Sequence, residues 1–216
     1  MERNISMEEI SDGKLYTAND MVKAGCGDCK GCSDCCRGMG SSIILDPLDI
    51  VRLTEGNGKN FTQLLSEGYI ELNAVEGIIL PNIKMEPDCK FLNEQGRCDI
   101  HAYRPGICRL FPLGRIYEAG SYKYFLQVHE CSNKNRTKVK VKSWINVPEF
   151  GKYEQFVGDW HYFLKDVSVY LQKADSEVAR KISMYLLNTF YIMEYAGEKE
   201  FYQQFYERLD KIKSTL

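Results

Sequence analysis

The residues most able to do chemistry in this chain are its nine cysteines. Five fall within eleven residues, in the run Cys26-Gly-Asp-Cys29-Lys-Gly-Cys32-Ser-Asp-Cys35-Cys36-Arg37. Two spacings are present in it. Cys26, Cys29, Cys32 and Cys36 form C-x2-C-x2-C-x3-C, the ferredoxin spacing, with Arg37 where ferredoxins carry proline. Cys29, Cys32, Cys35 and Cys36 form C-x2-C-x2-C-C. A tight loop brings residues i and i+3 to the same side, so both sulfurs reach one centre. Structural zinc typically takes two such pairs from distant segments. A cubane spreads its thiolates over several irons, which suits x2 spacing in series. Spacing therefore favours an iron–sulfur cluster over zinc.

A second group follows: Cys89-x8-Cys98, then Cys108 and Cys131. Gly96, Pro105 and Pro112 put these cysteines on turn-like ground suited to loops that present ligands. The nine thiols could complete one cluster and leave a second site, or build two four-coordinate sites. Arg37, Arg104 and Arg109 each lie near cysteines, and guanidinium donors stabilise anionic thiolate clusters. Their alternative is ion pairing with surface carboxylates. Cys98-x2-His101 and His129-x-Cys131 have ligand-like spacing, but so many thiols make histidine ligation unnecessary. His161 falls in an amphipathic helix and reads as a packing residue.

The elements that must position these groups are legible in part. The glycine-dense segment from Gly25 to Gly40, with Gly27, Gly31 and Gly38 inside it, lets the backbone wrap a bound object. Residues 1–15 are polar and read as frayed, and Thr17-Ala-Asn-Asp20 as the start of a short helix. Ser41–Leu45 reads as a strand. Asp46-Pro47 opens a helix as N-cap and first helical residue, and another follows Asn60. Tyr69–Ala74 with Gly77–Lys84, and Leu113–Tyr117 with Tyr122–His129, read as β-hairpins, the first around Val75-Glu76 and the second turned by Ala119-Gly120. Lys134, Arg136, Lys138, Lys140 and Lys142 alternate on one face of an extended segment, as on an edge strand guarded by lysines; the alternative is a groove for an acidic partner.

After Pro148 the pattern is helical to the end. Phe156, Trp160, Phe163, Leu164, Val167 and Leu171 make one stripe, Ile182, Leu186, Phe190 and Met193 a second, and Phe201, Phe205, Leu209 and Ile212 a third. Asp175 or Ser176 caps the second helix and Gly197 stops it. The fold class expected is α+β: a cysteine-rich metal-binding domain of short helices and β-hairpins, then a C-terminal helical segment. The divisions are 1–24, a polar N-terminal segment with a short helix; 25–147, the cysteine-cluster domain; and 148–216, a helical cap without ligands.

Composition narrows the function. Hydrophobic content of 44% and charged content of 27% are ordinary for a globular protein. A net charge of −2 argues for neither nucleic acid nor an anionic membrane as partner. Residues 1–16 hold no apolar signal-peptide core, and no stretch has the roughly 18 apolar residues that span a bilayer. The expected location is the cytoplasm, where thiols stay reduced, so the cysteines read as metal ligands and not as disulfides.

The combination of C-x2-C-x2-C-C at 29–36, C-x8-C at 89–98 and Arg-Pro-x2-Cys-Arg-x-Phe-Pro at 104–112 resembles the YkgJ-like cysteine-cluster family. That family is described as a zinc- or iron-chelating domain, and flagellin N-methylases carry a similar one. The resemblance covers roughly residues 25–131. It implies Cys29, Cys32, Cys35, Cys36, Cys89, Cys98, Cys108 and Cys131 as ligands, with Cys26 an addition. The family often has Tyr where His101 stands.

Three functions follow as expectations. The first is a protein holding an iron–sulfur cluster of the 4Fe–4S type, with a redox, cofactor-handling or protein-modification role. The second, by analogy with the flagellin relatives, is a protein lysine N-methylase using S-adenosylmethionine; no glycine-rich methyltransferase loop supports it. The third is a zinc-stapled interaction module docking a protein partner through the C-terminal helices.

Overall fold

The computed structural model describes residues 6–27, 32–133, 135–197 and 200–214. Cys29, Gly31 and Lys134 lie outside them. The architecture is α+β, with short antiparallel pairs and a helical C-terminal segment.

The local signals act as their chemistry dictates. Helix α1 is a single turn, Met7–Ile10. Helix α2, Pro47–Asn57, starts on a reciprocal capping box between Asp46 and Asp49 and ends at Gly58, whose φ of 66° is left-handed. Helix α3, Phe61–Ser66, starts on a second capping box between Asn60 and Gln63. Strands β2 (Ile70–Val75) and β3 (Ile78–Ile83) pair through the Glu76-Gly77 turn. Strands β4 (Leu113–Glu118) and β5 (Ser121–Leu126) pair through Ala119-Gly120. Both central residues of each turn have positive φ, the geometry that matches strand twist in two-residue hairpins.

Four segments differ from the expectation. Ser41–Leu45 is not a strand: within it only Ile44 makes an isolated bridge, to Asn82. Thr17–Asp20 is a turn, not a helix start: the Asp20 carboxylate accepts from both the backbone N–H and the hydroxyl of Thr17, at 2.6 and 2.7 Å. The chain then continues as β1, Met21–Gly25, with Val22 and Ala24 buried and their neighbours exposed, a period of two. Residues 6–16 are not frayed where they are described. Ser11 and Tyr16 bridge to Gln127 and Tyr124, so the segment takes up hydrogen bonds along the open edge of β5. The basic segment is extended only over β6, Thr137–Lys140; Lys142 belongs to α5, Val141–Ile145. Val141 and Ile145 are both fully buried at helical i, i+4 spacing, and that burial overrides the charge alternation.

Strand β1 pairs with β6, joining parts of the chain more than a hundred residues apart: Met21 faces Lys140 and Gly25 faces Thr137. Helices α4 (Gly106–Leu110), α6 (Phe150–Leu171), α7 (Ser176–Leu187) and α8 (Phe201–Lys213) complete the fold. A π-helical turn, Asn188–Ile192, extends α7. Asp175 caps α7 as expected, and Gly197, with φ of 104°, lies in the link to α8.

The C-terminal helices are held by aromatic edge-to-face contacts, Phe156 on Phe205 at 4.7 Å and Trp160 on Phe190 at 4.8 Å. They also reach the rest of the chain. Tyr191 donates its hydroxyl to the Leu45 carbonyl at 3.1 Å, and Ser168 and Ser183 bond the carbonyls of Glu76 and Gly77 in the β2–β3 turn. One continuous hydrophobic core runs from Val22 to Ile212, through both the cysteine-bearing part and the helical segment.

Candidate metal centre

The first cysteine neighbourhood is assembled from three segments. Cys35 and Cys36 sit on a single 3-10 turn, Asp34–Cys36. The Cys36 carbonyl accepts the Cys89 N–H at 3.1 Å, and the neighbouring Arg37 pairs with Asp88 through both backbone and side chain. Residues 89–99 form a tight loop. Asn93 receives the N–H of Gly96 and exchanges a bond with Arg97, while Leu92 bridges Cys98 and Asp99 bonds Phe91. This closure carries Cys98 back to the side of Cys89, which is how an x8 spacing serves one centre.

The third segment brings Cys108. Helix α4 begins at Gly106, whose N–H donates to the Asp49 carboxylate at 2.7 Å. The bond ties α4 to the first turn of α2, at the end where a carboxylate also complements the helix dipole. Gly106 is required by space: a Cβ there would stand 2.7 Å from the Tyr153 hydroxyl. Arg109 spans the base of this segment, donating to the carbonyls of Arg104 (3.0 Å), Asn146 (3.3 Å) and Ala102. Cys89, Cys98 and Cys108 pack against the edge of the hydrophobic core.

Electrostatics follows from this crowding. The Cys35 thiol is held above its ordinary range by its hydrogen bond with Cys36 and by burial, against the pull of Arg104. Burial pushes Cys89 up to about 11, with Cys98 and Cys35 adding to the effect. Cys98 is raised by burial and partly relieved by the Ile100 N–H and by Arg104. Cys108 is raised furthest from relief, by burial and then by Asp49, Cys89, Cys35 and Cys98. Cys36 bonds Cys35, Cys35 and Cys98 act on Cys89, Cys35 acts on Cys98, and Cys35, Cys89 and Cys98 all act on Cys108, so these five thiols form one neighbourhood.

Cys26, Cys32 and Cys131 form another. Cys26 follows β1 and Cys131 precedes β6, so the β1–β6 pairing sets them at the same end of one ladder. The Cys32 sulfur lies 3.9 Å from the hydroxyl of Ser132. All three line a small pocket of about 40 Å³, together with Cys35 and the apolar Phe111, Pro112 and Trp144. Cys131 is raised by burial and partly relieved by the Asn133 N–H and by Arg136, with Cys26 and Cys32 adding to the rise. Neither spacing read from the run 26–36 stays together as a quartet among the described residues, because the run divides between the two neighbourhoods.

The described cysteines form no disulfide. Among the described residues, no three Cys, His, Asp or Glu side chains already stand close enough together to hold an ion. The donor set suits soft, thiophilic metals: sulfur dominates, and no histidine is needed to complete it.

The remaining candidates fall as follows. Arg104 bonds His101 at 2.7 Å and faces Cys35 and Cys98. Arg37 pairs with Asp88 at the surface, and Arg109 bonds backbone carbonyls, so these two guanidiniums brace the loops that carry the cysteines. His129 is exposed. His161 stacks flat on Tyr117, centroids 3.5 Å apart. Sequence reasoning missed Asp49 and Ser132. The Asp46-x-x-Asp49 spacing marks a capping box, and that was the one available signal for Asp49; none marked Ser132.

With this arrangement described, comparison places the chain in a class of cysteine-rich metal-chelating proteins. Residues 28–142, a little over half the chain, match the CxxCxxCC family model, described as a "putative zinc- or iron-chelating domain". The chain belongs to this CxxCxxCC family, the one its motifs resembled, and a metal-binding role follows. No curated protein and no solved structure matches it. Among the described residues no helix is long and apolar enough to cross a membrane.

Proposed function

We propose that the neighbourhood of Cys35, Cys36, Cys89, Cys98 and Cys108 holds an iron–sulfur cluster of the 4Fe–4S type, in a redox or cofactor-handling role. The observation that carries this reading is the number and kind of donors. Five thiols from three segments crowd one place, enough to supply four thiolates to one centre. A thiolate-ligated cubane uses four. Arg104 adds a cation beside Cys35 and Cys98, which offsets the charge of an anionic cluster. Cys89, Cys98 and Cys108 pack against the core edge, which limits solvent at the cluster and so tunes its potential.

Anaerobic purification followed by iron, zinc and acid-labile sulfide analysis tests it. The expected result is a brown protein with iron and sulfide in equal amounts, whose visible absorption bleaches with dithionite. A colourless protein that holds zinc and no sulfide would refute the cluster and leave a zinc-stapled module.

A further inference from the structure

We infer that the chain carries a second metal site, separate from the inner one, in the pocket lined by Cys26, Cys32 and Cys131, and that it takes a single thiophilic ion such as zinc. Three thiols there come from two chain segments that are brought together by the β1–β6 ladder. The Thr137 hydroxyl donates to the Gly25 carbonyl at 3.4 Å, one residue from Cys26. A side chain at Gly25 would collide with Thr137, so glycine allows the close approach that brings Cys26 and Cys131 together. Ser132 beside Cys32 supplies a hydroxyl donor for a thiolate.

Two observations separate this site from the inner one. Cys89, Cys98 and Cys108 do not line the pocket, and Cys35 alone touches both places. The supports differ too: Cys89 and Cys98 lie on the 89–99 loop and Cys108 on α4, whereas Cys26 directly follows β1 and Cys131 lies in the segment that leads into β6. A cubane at the inner thiols leaves the outer three unused. Three sulfurs around a pocket of about 40 Å³ match one ion better than a cluster. Asp34, Glu130 and Asn133 also line it, so polar groups are at hand where a water or a further donor completes a tetrahedron.

The site differs from the inner one in what holds it, so the two should empty separately. The full-length protein, purified anaerobically, is titrated with a mild chelator while released metals are measured. At each step accessible thiols are alkylated and mapped by mass spectrometry. The expected result is that Cys26, Cys32 and Cys131 become reactive together, with release of one ion per chain, while Cys89, Cys98 and Cys108 stay protected. In parallel, Cys26→Ser with Cys131→Ser should lower total metal by that one ion and leave the inner complement intact. Simultaneous exposure of both groups in the wild-type protein would overturn the inference, and the wild-type titration reads this whether or not the variant folds. Equally, outer thiols that are alkylated at full metal content would remove them as ligands. The outcome does not depend on whether the inner metal is iron or zinc, so failure of the cluster reading leaves this inference standing or falling by itself.

Discussion

Asp49 is the residue through which the helical scaffold reaches Cys108, and replacing it by asparagine tests the whole chain of reasoning. Its side chain is buried and makes two bonds: one oxygen accepts the Gly106 N–H at 2.7 Å, the other the Asp46 N–H at 3.0 Å. The buried Arg52 and the half-buried Arg115 supply compensating positive charge. Burial nevertheless raises the carboxyl above its ordinary range, so its desolvation outweighs that compensation. Asparagine is free of that penalty and keeps one acceptor. Its amide nitrogen, however, then faces a second N–H, donor against donor. Losing one bond to a charged group and leaving an N–H unsatisfied costs roughly 1.5–3 kcal/mol. The relief of desolvation offsets part, leaving about 2 kcal/mol destabilisation. For a chain of this length that is a fall in melting temperature of about 4–8 °C, at roughly 2–4 °C per kcal/mol. Because α4 starts at the lost contact, metal affinity should fall by roughly 10-fold or more with every thiol still present. Circular dichroism melting of apo and metal-loaded protein, with a competition titration for affinity, measures both. An Asp49→Asn protein that melts within about 1 °C of wild type and binds metal equally well would show that the α2–α4 tie does not position Cys108.

Three further outcomes are expected. Gly106→Ala drives a Cβ towards the Tyr153 hydroxyl, itself held by Arg115 at 2.9 Å, and overpacking of this kind costs about 1–3 kcal/mol, read as a lowered unfolding midpoint in urea. Cys108→Ser should lose the inner metal and loosen residues 89–110 together, seen as faster amide exchange there, whereas Arg104→Ala leaves every thiol in place and should cost only roughly 10–100-fold in metal affinity; equal metal content in all three proteins would remove Cys108 from the ligands. Tyr191→Phe deletes the single bond from the C-terminal helices to the Leu45 carbonyl and should cost about 1 kcal/mol without changing metal stoichiometry, which calorimetry and metal analysis together can check.

Much of this protein is determined locally, and the sequence by itself carries it. Asp46-Pro47, Asn60 and Asp175 start helices because a side-chain oxygen satisfies N–H groups two or three residues away, an interaction needing no tertiary partner. The Ala119-Gly120 turn and the aromatic stripes after Pro148 are periodicities of the same short range. The chemical class of the metal ligands is equally a matter of residue type, since thiols in such numbers favour soft metals wherever they lie. Only the tertiary structure decided which thiols are neighbours. Cys32 and Cys35 are three residues apart, yet Cys32 stands by Ser132 and Cys131 while Cys35 joins Cys89, Cys98 and Cys108. The causes are pairings between distant segments, Gly25 with Thr137 and Cys36 with Cys89, which no spacing within the run encodes. The same holds for Thr17–Asp20, where a carboxylate that could have begun a helix closes a turn because Val22 and Ala24 are drawn into the core as a strand. Spacing sets what a loop can ligate, and the burial of the segments at its two ends sets where each sulfur goes.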